Sequence, residues 1–525
     1  MSAVSSERLR KRAQRYLEEN QRVAARIALE SLVQREPSDF EAHLQLGAMA
    51  YADGRLRDST RHTLDALQVM PDDPAHICRI VPPLLLVGEV VAARDCLLRP
   101  SIARCESGSL LARLASSCQM IGDHAATLAM LDRALSLGHD GPEFRFIRAV
   151  QLMFNGRLDE AEAQLKAFLA TGKILGRACV TMARLRKQTT QDNHLSVIRN
   201  QLSQVAPGSE DQGALEYAQY KELEDLGEYD QAFAALQRGS AIMFARGDYD
   251  SERDAAVCEQ LMQLCTPEFC AQPTSDHNGP QPIFIVGMPR SGTTLLDRIL
   301  GNHSQVTCVG ELGDFARAMR WCADHVTVQP LDGTILERAP SLNFSQVGAR
   351  YLAQSQWRAG DKPFYVDKMP INWIQAAFIR RALPQSRILH MNRDPMDVCF
   401  SNYRAYFGAG YGYSYDVDAL VAYYGRYRRV IEHWHRVMPG QILNVSYEAL
   451  VEDPETVARQ VLQFCGLTYE SNCIDLESNQ SAVATLSAAQ VREPINTKSL
   501  GQWRRYEAQL QPLVDGVSRA VSREP

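Results

Sequence analysis

Glycine recurs along the first half of this chain at a fixed step. Gly54, Gly88, Gly122 and Gly156 are each 34 residues apart, and Gly227 follows 71 residues later, two such steps plus a small insertion. Five residues after each glycine stands a small residue: Ser59, Ala93, Thr127, Ala161 and Ala232. Ala66 and Ala134 share a second register, and Gly47 and Pro71 fill two further positions in the clearest unit. A glycine permits a tight turn between two helices, and the small residue lets those helices approach. Stretches such as DEAEAQLKAFLA and YDQAFAALQRGSAIM space their apolar residues as a helix does. One such unit cannot bury its own apolar face, so stacking on its neighbours must supply the core. The feature predicts an α-solenoid, interrupted from Lys173 to Gln212, where the pattern degenerates.

A 34-residue period with these small positions resembles the tetratricopeptide repeat. Such a solenoid presents a concave surface. It can bind a peptide, contact a second copy to give a homodimer, or brace another domain, and the sequence leaves all three open. At 525 residues the chain exceeds one ordinary core. In CAQPTSDHNGPQP, Cys270 to Pro282, helical periodicity stops and turn-forming residues cluster. The expected division is a helical domain over 1–272, a linker over 273–281 and a second domain over 282–525.

Composition narrows the function classes. The chain is 45% apolar and 22% charged, with a net charge of −6, which argues against a nucleic-acid partner. The longest apolar stretch, VPPLLLVGEVVAA from Val81 to Ala93, is too short and too broken to span a bilayer. The first residues, MSAVSSERLRKRAQRYLEEN, lack the apolar core of a secretory signal, so the expected location is cytoplasmic. The 13 cysteines show no zinc pairing; Cys258, Cys265 and Cys270 come nearest to a cluster. Reduced, buried thiols are expected.

After Pro282 short β-prone runs alternate with helical ones. IFIVG (283–287), VTCVG (306–310), FYVDK (364–368), ILHMN (388–392) and ILNVS (442–446) are the candidate strands. NWIQAAFIRRAL, DPMDVCFSNYRAYF and YEALVEDPETVARQVLQFCGL, after the last three, read as helices. This is the α/β pattern with a parallel sheet, in which ligands bind at the carboxyl ends of strands. Arg290, Glu311, Lys368, Arg393 and Tyr447 stand at or just after those ends.

The first strand leads into GMPRSGTT, Gly287 to Thr294. The loop is phosphate-loop-like, but Thr293 stands where the G-x-x-x-x-G-K-[ST] pattern has lysine. Its backbone N–H groups and the helix N-terminus behind them can wrap an anion. Gly292 lets backbone come close, Thr293 and Thr294 offer hydroxyls, and Arg290 replaces the missing cation. No acidic residue directly after a strand's apolar run makes a convincing Walker-B match. The loop therefore suits a terminal group less charged than a γ-phosphoryl and in need of no metal, such as a sulfonate. In RDPMDVCFS, Arg393 to Ser401, Asp394 is a plausible helix N-cap and Pro395 fits the first helical position. Ser401 lies two turns on along the same face, and Arg393 could grip a phosphate with its planar fork.

PRSGTT followed by LLDRIL resembles the 5′-phosphosulfate loop of sulfotransferases, which use 3′-phosphoadenosine-5′-phosphosulfate (PAPS), and RDPMDVCFS resembles their 3′-phosphate motif. The resemblance covers 282–525. With the repeats in front, the chain looks like the bacterial tetratricopeptide-repeat sulfotransferases, whose catalytic domain is similar to that of tyrosylprotein sulfotransferases. The resemblance implies that Arg290, Ser291, Gly292, Thr293 and Thr294 hold the phosphosulfate. It implies that Glu311, after Gly310, is the catalytic base, where the alternative is a helix-capping glutamate. Lys368 would stabilise charge on the transferring group, where the alternative is a surface lysine. Arg393, Ser401 and Tyr447 would contact the 3′ end of the nucleotide, with a core role open for Tyr447. Ser487 matches a serine near the sulfonate. The closing segment departs from the family: Asn496, Thr497 and Lys498 replace Arg-Lys-Gly, Glu493 replaces a lysine, and Arg492 is the substitute candidate for the 3′-phosphate.

The expected protein is thus an α-solenoid followed by a P-loop-like α/β domain. It moves the sulfuryl group of PAPS to an acceptor hydroxyl, a protein or peptide tyrosine being one such acceptor, and releases adenosine 3′,5′-bisphosphate. A phosphotransferase with a degenerate loop, or a non-catalytic repeat scaffold, are the alternatives. The aromatic stretch YRAYFGAGYGYSYD, Tyr403 to Asp416, reads either as a mobile loop shaping the acceptor site or as a surface loop with packed tyrosines. His303, His390 and the EHWH stretch (432–435) are read as structural.

Overall fold

A computed structural model describes residues 5–272, 277–476, 482–484 and 494–522. Every element before Cys270 is helical, and the first strand begins at Gln281. The chain forms two compact units, Met1–His139 with Gly313–Trp357, and Asp140–Leu312 with Arg358–Pro525. Packing therefore groups the chain differently from the linear division expected at 273–281.

In the first unit, helices pair as the repeat pattern predicts: Phe40–Ala52 with Leu56–Val69, Pro74–Val87 with Val90–Leu97, and Gly108–Met120 with His124–Ser136. The turn glycines Gly54, Gly88 and Gly122 all take positive φ, between +78° and +85°, a region that costs other residues steric strain. Ser59, Ala93 and Thr127 are buried where paired helices meet. Asp39, Asp73, Ser107 and Asp123 cap helix starts by accepting backbone N–H groups, each typically worth about 1 kcal/mol. Three helices from the second half, Asp314–Ala323, Gly333–Arg338 and Phe344–Ser355, join this unit. The Arg57 amide donates to Asp324 at 2.8 Å, the Val91 amide donates to Gln354 at 2.9 Å, and Arg350 pairs with Glu89 at 2.8 Å. Helical periodicity shows that 313–357 is helical but carries no information about which apolar face it covers.

In the second unit the pairing continues, with Gly156 and Gly227 at positive φ and Ala161 and Ala232 fully buried. The degenerate segment forms two helices, Gly176–Leu185 and Leu195–Leu202, both packed on Glu210–Leu226. The sheet has five strands: β1 Gln281–Gly287, β2 Val306–Cys308, β3 Phe364–Lys368, β4 Arg387–Asn392 and β5 Ile442–Ser446. All pairs are parallel and the order is β2-β3-β1-β4-β5. β1 is central, and Ile283 to Val286 are fully buried. One core layer joins Ile283 and Ile285 to Leu296, Ile299, Val366, Leu389 and Val461. From β1 the chain crosses to β2 and β3 on one side and then to β4 and β5 on the other, so a crevice opens at their carboxyl ends. Among the described residues, no helix is long and apolar enough to cross a membrane. All 13 cysteines are unpaired and mostly buried.

Candidate active site

The loop after β1 is held by what surrounds it. Its helix, Thr293–Gly301, begins after Gly292, whose φ is +106°. A Cβ on Gly292 would fall 2.3 Å from Cδ2 of Tyr447. The ring of Tyr447, which opens the helix after β5, thus lies directly on the loop, and only glycine fits beneath it. No side chain caps Thr293–Gly301, so its first N–H groups remain available to an anion. Ser291 is buried and its hydroxyl has no partner among the described residues. Arg290 takes φ +67°, an uncommon state for a residue with a Cβ.

The helix Pro395–Tyr403 holds that strained backbone. Asp394 caps it, accepting from the Asp397 amide at 2.9 Å. Asn402 donates to the carbonyl of Pro289 at 2.7 Å, and Arg393 donates to the carbonyl of Arg290 at 3.2 Å. Two successive loop carbonyls are therefore pinned, one from this helix and one from the residue just before its cap. Arg393 also donates to the Ser499 carbonyl at 2.7 Å and lies 4.5 Å over the Tyr447 ring, while the Tyr447 hydroxyl meets the Ser499 hydroxyl at 2.6 Å. Nε of Arg393 is buried with no partner among the described residues. Sequence reasoning missed Asn402, because nothing in SNYR marks an asparagine that reaches a loop over a hundred residues away.

Glu311 follows β2 and Lys368 ends β3. The Lys368 ammonium donates to Oε1 of Glu311, and the Lys368 amide donates to the Gly310 carbonyl at 3.0 Å. Lys368 is 1% exposed, which removes the surface-lysine alternative. The Glu311 side chain is 37% exposed. Nor does Glu311 cap the helix ahead of it, whose N-cap is Gly313 with no side-chain bond. Asp297, buried on the helix after the loop, has its carboxyl pushed up by burial and held down by Lys368.

These groups open on one cavity of about 620 Å³, within the usual range for small-molecule sites. Arg290, Gly292, Thr293, Thr294, Glu311, Arg393, Ser401 and Tyr447 all line it. Lys368 reaches it through Glu311, and Ser291 is buried in the loop beneath. Ser487 and Arg492 lie outside the described residues. Burial, together with the charges of Arg184, Arg404 and Arg393, lowers the Arg290 guanidinium to about 9. So many cations around one cavity mark an anion site. Beside Glu311 the wall is Phe407, Tyr411 and Pro370. Tyr411 has φ +50° and its ring meets that of Phe407 at 4.9 Å. The stretch Tyr403 to Asp416 is packed: Tyr413 stacks on Tyr423 at 3.6 Å, and Tyr415 accepts the Phe407 amide at 2.7 Å. Val150, Met153 and Thr181 of the helical segment also line the cavity, a contribution the sequence did not reveal. His303, His390 and His433 bond to neighbouring backbone or side-chain groups away from this cavity.

The Sulfotransferase family model matches residues 282–471. A protein of Aquifex aeolicus (strain VF5), named only as uncharacterized, is 30% identical over 369 residues, 69% of this chain and 48% of that protein. This chain thus spans about half the length of that relative. A putative protein-tyrosine sulfotransferase of Caenorhabditis briggsae is 29% identical over 236 residues, 43% of this chain and 81% of that protein. The solved sulfotransferase domain of the Synechococcus PCC 7002 olefin synthase shares 20% identity, covering 48% of this chain and 99% of that domain with a TM-score of 0.33. The C-terminal region therefore carries a sulfotransferase-family sequence on a five-stranded parallel sheet, and family and site chemistry together support sulfuryl transfer.

Proposed function

We infer that this cavity, most of whose named site residues lie in the stretch that matches the Sulfotransferase family, takes PAPS as sulfuryl donor and a tyrosine hydroxyl of a protein or peptide as acceptor. The residues fit such a donor: an uncapped helix start and free serine hydroxyl for the phosphosulfate, and Arg393, Ser401 and Tyr447 for the 3′ end. Bound there, PAPS supplies an activated sulfuryl group. Glu311 takes the proton of the acceptor hydroxyl; the acceptor oxygen forms its bond to sulfur as the bond from sulfur to the 5′-phosphate oxygen breaks. Adenosine 3′,5′-bisphosphate leaves with that electron pair. Arg290 sits where charge grows on the bridging oxygen, and a fixed cation there favours the transition state over the ground state. Lys368 holds Glu311 in place and adds positive charge beside the sulfuryl group. No metal is needed for these steps.

The observation that carries the reading is the convergence of Arg290, Glu311 and Arg393 on one cavity, beside a loop with Thr293 in the lysine position. The aromatic wall of Phe407 and Tyr411 next to Glu311 suits a phenol, and the name of the nematode relative agrees. The helical repeats would present the protein or peptide, and the unpaired cysteines accord with a cytoplasmic setting. The test is transfer of labelled sulfate from PAPS into proteins of a lysate, read by mass spectrometry at tyrosine. Binding of ATP with Mg²⁺, in place of adenosine 3′,5′-bisphosphate without metal, would instead establish the phosphotransferase reading.

A further inference from the structure

A second cavity, of about 1050 Å³, adjoins the first, and Arg290, Ser401, Arg404, Lys498 and Gln502 line both. Apart from Ala405 and Arg505, its remaining wall comes from the helical segment and includes Arg184, in the last turn of the helix Gly176–Leu185. The two acids on that wall are already engaged: Glu224 pairs with Arg404 at 3.4 Å, and Asp225 with Lys221. Arg184 itself has no hydrogen bond or ion pair among the described residues. Its surroundings are the rings of Tyr217, Tyr220 and Tyr415 and the like charges of Arg404 and Arg290. A half-buried guanidinium without a counter-ion, facing two others across a cavity, is destabilising unless an anion fills the space between them.

The anion's identity follows from which part of the crevice the cavity joins. Neither Glu311, Thr293 nor Thr294 lines it; Ser401 lines both cavities, while Arg393 and Tyr447 line the first alone. It therefore opens beside Ser401, away from the base and the helix start, and Ser401 is one of the residues that the proposed function gives to the 3′-phosphate. We propose that Arg184, a residue of the helical half, binds the 3′-phosphate of the donor nucleotide together with Ser401, so that the repeat-bearing segment and the sheet build the nucleotide site jointly. This rests on the donor assignment made above. It also explains how the chain manages with Asn496 and Thr497 in its closing segment: a cation arrives from the other half.

Calorimetric titration of the full chain with adenosine 3′,5′-bisphosphate and with adenosine 5′-monophosphate tests this. Charge-assisted bonds to phosphate are strong, so Arg184→Met is expected to weaken the bisphosphate at least about tenfold and the monophosphate less than about twofold. Arg184→Lys should recover part of the loss. Without nucleotide, Arg184→Met should melt at or above the wild-type temperature, since it removes an unpaired charge. A purely structural arginine would give the opposite shift. Bisphosphate affinity unchanged by Arg184→Met overturns the assignment, as does equal loss for both nucleotides. Wild-type protein that binds the bisphosphate no better than the monophosphate removes the donor reading itself, and Arg184's role with it.

Discussion

Glu311 and Lys368 meet at the ends of neighbouring strands, and their contact decides how the base should be tested. Replacing Glu311 by alanine would leave a 1% exposed ammonium without its acceptor, mixing lost stability with lost chemistry. Glutamine keeps an oxygen for Lys368 to donate to but cannot take a proton. Turnover by Glu311→Gln is therefore expected to fall by about 10²–10⁴-fold, with the dissociation constant of adenosine 3′,5′-bisphosphate within about twofold of wild type. Single-turnover kinetics beside calorimetry would check it, and a parallel loss of affinity would end the base assignment. At this scale the sequence was most informative where chemistry and backbone position coincide. Arg290, Glu311, Lys368 and Arg393 were legible because each follows an apolar run whose end must open on the crevice. The contact of Asn402 with the loop and the place of Arg184 in a cavity wall were not, because both arise from what tertiary packing brings opposite them.

At the scale of elements, all five strands lie where apolar runs put them, since strands of a parallel sheet are covered on both faces and read as continuous hydrophobic stretches. Helix starts are harder to read: the helix behind the loop begins only at Thr293, because the loop takes up the residues from Met288 to Gly292. The fate of 313–357 was not legible at all, since an amphipathic helix specifies that it has a buried face and not whose. The helix Pro395–Tyr403 makes the strongest element-level claim. If it pins the loop through the Pro289 carbonyl, then Asn402→Ala should loosen the loop without touching any group that meets the nucleotide. One lost hydrogen bond of this kind costs about 1–2 kcal/mol, so bisphosphate affinity should drop roughly five- to thirtyfold. Amide exchange at 288–292 should quicken in parallel. Normal exchange with normal affinity would mean that Arg393 alone suffices.

For the whole molecule, the helical and sheet halves of the second unit share a polar and aromatic seam. Tyr217 donates to the Tyr403 carbonyl at 3.1 Å, Ser240 meets the Tyr403 hydroxyl at 3.0 Å, and Tyr506 donates to Glu224 at 3.3 Å. A fragment of residues 282–525 would strand Arg404 without Glu224, and we expect it to lack a cooperative melting transition and to bind no bisphosphate; a sharp transition in that fragment would show the seam to be dispensable. Acid should undo the intact unit from within its sheet. His390 on β4 is 3% exposed, its Nδ1 2.7 Å from Oδ1 of Asn444 and its Nε2 against the Tyr427 hydroxyl. Burial lowers its imidazole from 6.5 to about 4. Between those values the unfolded chain binds a proton that the folded chain refuses, so stability is intact above pH 6.5 and is lost progressively down to about pH 4. The loss from this one group is at most about 3 kcal/mol. Urea unfolding followed by tryptophan fluorescence from pH 7 to pH 4 should show that decline in the wild type and a shallower one in His390→Gln, the difference isolating the histidine from the carboxylates that titrate alongside it. Parallel declines in the two proteins would mean that His390 accepts its proton while the sheet remains folded.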